Sequence, residues 1–165
     1  MEKIYAFIDS QNLNLGILSQ GWKLDFRKFR LYLKDKYHTK KAFIFIGFTS
    51  NNINLYKFLR ESGYILIFKP TIPYRSQNEI NHLKGNIDAE LVLQTMIEYK
   101  NYSQSLIVSG DGDFYCLIKY LNKNNKLLKL IIPNQNSYSS LLRGFVNETA
   151  FLDTLKHKLE YKKPQ

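Results

Sequence analysis

Hydrophobic residues along this chain follow two alternating rhythms. Continuous apolar runs at residues 3–8, 42–48, 64–68, 105–108 and 127–132 have the length and the β-branched or aromatic content of buried strands. Between them, apolar residues recur every three or four positions, as on an amphipathic helix. The clearest case is residues 25–37, where Phe26, Phe29, Leu33 and Tyr37 are separated by Lys and Arg. Residues 12–19 read as a short helix. Residues 51–62 read as a helix with Leu55, Phe58 and Leu59 inward, stopped by Gly63. Residues 87–99 gather Ala89, Val92, Leu93, Met96 and Ile97 on one face, and Phe114, Leu117, Ile118 and Leu121 mark a further helix. Residues 70–86 show no period and contain Pro70, Pro73 and Lys84-Gly85. So long a loop in a compact domain is uncommon and usually functional. Pro133 ends the fifth strand, and residues 134–165 have room for one or two helices and a short strand near residues 150–152. The basic tail, residues 156–165, is expected to fray.

Continuous apolar strands alternating with amphipathic helices imply a mostly parallel sheet covered on both faces. The expected fold is therefore a doubly wound α/β domain over residues 1–155, without internal repeats. A length of 165 residues suits one domain, and 44% hydrophobic with 23% charged residues excludes global disorder. No apolar run reaches the roughly 18 residues of a membrane span. The N-terminus does not read as a signal peptide, so the expectation is a soluble cytoplasmic protein without a membrane partner. The single Cys116 excludes an internal disulfide framework and a zinc site built from cysteines, and its place near an apolar stripe predicts packing. His38, His82 and His157 lack ligand spacing, and no Walker-type phosphate loop occurs.

Charge adds a direction. The 24 Lys and Arg outnumber the 14 Asp and Glu, for a net charge of +10. Either the composition is lysine-biased or the partner is anionic. The acids are placed unevenly. Asp9 closes the first strand, Asp111 and Asp113 follow the fourth, and Asp88 and Glu90 open the helix before it. In a parallel sheet, ligands bind beyond the carboxyl ends of the strands, where the strand order reverses. Carboxylates gathered there repel one another unless a hard divalent cation such as Mg²⁺ or Mn²⁺ supplies the counter-charge. Taken singly, each acid also has a structural role open to it: capping a helix, complementing its dipole or bonding a turn. Set these five acids aside and the remainder is more basic still, which suits a metal-dependent enzyme acting on a polyanion.

Three stretches carry a resemblance: Ala6-Phe7-Ile8-Asp9-Ser10-Gln11-Asn12-Leu13, Lys84-Gly85-Asn86-Ile87-Asp88-Ala89-Glu90-Leu91 and Ile107-Val108-Ser109-Gly110-Asp111-Gly112-Asp113-Phe114. In order and spacing the chain resembles the NYN domain family, the LabA-like branch of the PIN-like ribonucleases, over roughly residues 3–155. The resemblance implies a three-layer α/β/α fold of strand order 3-2-1-4-5 and a metal-dependent ribonuclease site. Asp9, Asp88, Asp111 and Asp113 match the family's acidic positions and would bind Mg²⁺ or Mn²⁺, with Asp113 as a fourth ligand or water orienter. Asn12 matches its asparagine after the first strand. One departure is Gln94, near the place where related sequences carry a further acid.

The expected activity is thus endonucleolytic hydrolysis of RNA, leaving 5′-phosphate and 3′-hydroxyl ends. Lys84, Arg75, Arg143 and Lys69 are the candidate phosphate contacts. Tyr74 and Tyr138 could stack on unpaired bases, which favours a single-stranded substrate; a homo-oligomer stays open. A non-catalytic RNA-binding module using the same cleft is the alternative, favoured by Gln94. A haloacid-dehalogenase-like phosphatase would need an Asp-x-Asp pair where the chain has Asp9-Ser10-Gln11.

Overall fold

The computed structural model describes residues 1–69 and 87–165. The described residues build one six-stranded sheet of order β3-β2-β1-β4-β5-β6. The strands are β1 (Ile4–Asp9), β2 (Thr39–Gly47), β3 (Ile65–Lys69), β4 (Gln104–Val108), β5 (Leu127–Ile132) and β6 (Thr149–Phe151). Every pairing is parallel. The expected order 3-2-1-4-5 is met, and β6 extends it on the β5 edge, where the sequence leaves room for a short strand.

Period-two alternation assigns the faces. Along β1, Ile4, Ala6 and Ile8 point into one apolar cluster, with Leu13 and Ile17 of α1 (Ser10–Leu18), Phe29 and Leu33 of α2 (Phe26–Tyr37) and Leu59 of α3 (Ile53–Glu61). Tyr5 and Phe7 point into the other, with Leu91 of α4 (Asp88–Ile97) and Leu117, Ile118 and Leu121 of α5 (Tyr115–Lys123). The sheet is therefore covered on both faces, as the unbroken apolar strands require. β1 and β4 lie side by side with Ile8 opposite Val108. Chain crossovers leave in opposite directions from these two strands, so the switch point lies at their carboxyl ends. Among the described residues, no helix is long and apolar enough to cross a membrane.

Three expectations change. The first half of the tail is docked: α6 (Lys156–Leu159) buries Leu159 to 1% exposure, while residues 162–165 are exposed without secondary structure. The Asp25 N–H donates to the Leu159 carbonyl at 2.8 Å, and the Tyr161 N–H to the Lys23 carbonyl at 2.8 Å. The sequence hides this because one buried leucine among lysines has no visible period. Helix α4 turns Leu91 and Thr95 to the sheet and leaves Leu93, Met96 and Ile97 exposed. Thr95 tolerates burial because its hydroxyl donates to the Leu91 carbonyl at 2.8 Å. Cys116 is exposed, since α5 buries residues 117, 118 and 121 and position 116 falls on the other side.

Candidate metal centre

Asp9 ends β1 and caps α1. Its Oδ1 accepts from the Asn12 N–H at 3.1 Å, and its Oδ2 from the Ser109 hydroxyl at 3.0 Å. Ser109 follows β4 and is fully buried. Its Oγ also accepts the Asp111 N–H at 3.1 Å, so one hydroxyl holds two acidic residues in a fixed relation. The Gly110 N–H donates to Asn12 Oδ1 at 2.8 Å, tying the first turn of α1 to the β4 loop a second time. Asp111 caps the short 3₁₀ turn Gly112–Phe114 by accepting the Asp113 N–H at 2.9 Å. Asp88 is the first residue of α4. One carboxylate oxygen from each of Asp9, Asp88 and Asp111 lies within 4.8 Å of the others.

Burial pushes the Asp9 carboxyl above its ordinary range, and the neighbouring Asp111 charge pushes the same way. The bonds from Asn12, Ser109 and Gln11 pull it down without cancelling the shift. An all-oxygen set of carboxylates, one of them buried and electrostatically unfavourable as an anion, has the chemistry that a hard divalent cation completes. The trio opens into a cleft of about 850 Å³ lined also by Gln11, Asn12, Lys69 and Ser137. Next to Asp111, Gly112 packs on the Ser139 side chain: a Cβ there would stand 2.3 Å from Ser139 Oγ, so a larger residue would force the two loops apart.

The structure brings together Asp9, Asp88 and Asp111, with Asn12 as the brace between loops. Asp113 is exposed on the cleft rim, outside the trio, and contributes its N–H to the Asp111 cap. Arg143 is exposed in the 3₁₀ segment Ser140–Glu148 and does not line the cleft. Arg75 and Lys84, like Tyr74 and His82, lie outside the described residues. Glu90 is half-buried and does not line the cleft. Gln94 donates to Glu98 Oε1 at 3.3 Å and stays away from the trio. Tyr138 is half-buried against Phe151, with ring centroids 5.6 Å apart. Sequence reasoning missed Ser109; its only signal is a small hydroxyl residue directly before Gly-Asp at a strand end.

Compared with solved structures, the chain is similar to the crystal structure of a protein of unknown function from Vibrio parahaemolyticus. The two share 21% identity, 96% of each chain is covered, and the TM-score is 0.76. That likeness supports the fold. No curated protein matches. The family model described as NYN domain matches residues 3–153. With the all-parallel sheet and the convergent aspartates in hand, this match places the chain in the NYN domain family, whose members are PIN-like and nuclease-like.

Proposed function

We propose that this protein is a metal-dependent endoribonuclease acting on single-stranded RNA. The observation that carries the reading is the convergence of Asp9, Asp88 and Asp111 from three separate elements to within 4.8 Å. Those three carboxylates would hold Mg²⁺ or Mn²⁺. An ion held there would supply Lewis acidity for phosphodiester hydrolysis. The chain's own residues do the rest. Ser109 and Asn12 hold the Asp9 carboxylate in one orientation, which fixes where the trio presents its oxygens. Asn12 Oδ1 is committed to Gly110, leaving Nδ2 to donate to a phosphate oxygen. Asp113 on the rim orients the incoming water, and Lys69 faces the same cleft as a counter-charge for the strand. In-line attack then leaves a 5′-phosphate and a 3′-hydroxyl.

The test is cleavage of an end-labelled single-stranded RNA with Mn²⁺ or Mg²⁺, with chelator, and by Asp111→Asn. Activity that needs metal and is lost in the variant supports the reading. A second reading is a binding module without turnover. It is favoured by Gln94, whose amide is turned to Glu98 so that α4 sends no further acid toward the cleft. Metal-dependent RNA binding with no cleavage under any of these conditions would select it.

A further inference from the structure

Beside the acidic cleft, on the α1–α3 face of the sheet, lies a second cavity of about 750 Å³. Its volume falls within the range of small-molecule sites. The floor is apolar: Phe26, Ile46, Leu55 and Phe58 line it. Leu55 is 38% exposed, and the other three are only half-buried. One edge is polar. Gln11 and Asn14 stand three positions apart on α1 and so share a helix face, and both line the cavity. Neither side-chain amide makes a hydrogen bond to another described residue. Lys23 sits at the wall, and the Arg27 guanidinium lies 5.3 Å from the Phe58 ring centroid.

Two features identify an occupant. First, the cavity adjoins the acidic cleft, with Gln11 and Ile87 lining both. Second, its composition matches one part of a nucleotide. Apolar walls suit the faces of a flat heteroaromatic ring, uncommitted amides suit its hydrogen-bonding edge, and nearby cations suit the phosphates on either side. We propose that this cavity seats one unpaired base of the RNA strand, a nucleotide or two from the phosphate held at the aspartates. Gln11 and Asn14 read the edge of that base. The inference rests on the ribonuclease reading and adds a specificity subsite to it.

The experiment is equilibrium binding of a fluorescent ten-nucleotide single-stranded RNA in Ca²⁺, with strand integrity checked on a gel. A series with one abasic residue moved along the strand is the comparison. The expected result is about tenfold weaker binding when the abasic residue falls at one position. Leu55→Trp, which fills the cavity, should reduce that penalty below about twofold. Thr49→Trp fills the same space from another side and serves if the first variant is unfolded by circular dichroism. Gln11→Ala and Asn14→Ala should alter which base is preferred there. Equal affinity for all abasic strands, or a penalty that survives both folded tryptophan variants, would overturn the subsite and assign the cavity to another occupant. A base-dependent penalty without cleavage in Mn²⁺ would sink the ribonuclease reading and leave the subsite standing. Cleavage without the penalty would do the reverse, and absence of RNA binding would end both.

Discussion

Replacing Ser109 by alanine removes one hydroxyl and strands two partners. The Asp9 Oδ2 loses a donor at 3.0 Å, and the Asp111 N–H loses its acceptor at 3.1 Å. Ser109 has no solvent exposure and Asp9 only 4%, so water does not readily replace either bond. A hydrogen bond to a charged group contributes about 1.5–3 kcal/mol, and a neutral one about 1 kcal/mol. The expected loss is about 2.5–4 kcal/mol. For a chain of this size that corresponds to roughly 5–15 °C in Tm. The pH dependence gives a sharper test. Asp9 has a folded-state pKa above its ordinary value, so its contribution favours folding at low pH and is lost as pH rises through that pKa. The Ser109 bond lowers the Asp9 pKa, so Ser109→Ala raises it further and makes ionised Asp9 costlier still. The deficit of the variant should therefore grow from pH 4, close to the ordinary carboxyl value of 3.8, to pH 8 in metal-free protein. Differential scanning calorimetry at the two pH values measures it. A deficit under about 2 °C at pH 8, against the 5–15 °C expected, or the same deficit at both pH values, refutes the argument.

Four further outcomes are expected. Mn²⁺ at a hundredfold excess over its Kd should stabilise the protein by about 2.7 kcal/mol, a thermal shift that Asp111→Asn largely removes; Asp9→Asn should raise the metal-free Tm at pH 8 by deleting a buried charge, and identical metal shifts in all three proteins would rule out a shared site. In single-turnover assays Asp88→Asn should abolish cleavage with RNA binding retained, whereas Glu90→Gln keeps most activity and Gln94→Asp, which sets a carboxylate beside Glu98, gains none; an inactive Glu90→Gln with an active Asp88→Asn would invert the assignment. Lys69→Ala should weaken binding to unrelated RNAs alike and flatten the salt dependence by about one unit, so an unaltered slope removes Lys69 from the phosphate path. Leu159→Ala should cost about 2–4 kcal/mol in urea denaturation, and a change near zero would mean that α6 is not part of the core.

The sheet was legible because its strands are buried on both faces and so appear as unbroken apolar runs; their order came with the family resemblance. Asp9 and Asp111 were legible because both stand directly after such runs. Asp88 was legible only through the motif it shares with Lys84-Gly85, since periodicity cannot say which edge of the sheet a helix N-terminus faces. The phase of α4 was misread for a physical reason. Its apolar residues surround much of the helix, and a threonine satisfied by its own backbone outcompeted Leu93 and Ile97 for the sheet. Ser109 stayed hidden because a serine becomes important only when two partners close on it, and that closure links residues 100 positions apart. The strap of residues 159–161 onto residues 23–25 is held by backbone bonds, which side-chain patterns do not report.

The pairing of β1 with β4 also orders events in time. Asp9 is synthesised 100 positions ahead of its serine donor. Until β4 docks, the Asp9 carboxylate lacks its Ser109 donor and the Asp111 carboxylate beside it. Parallel pairing over such a separation is a slow step, because the loop must close before the contact forms. The carboxylate trio is therefore completed late, as a property of the finished sheet. A truncated or stalled translation product that ends before β4 lacks the assembled carboxylate trio.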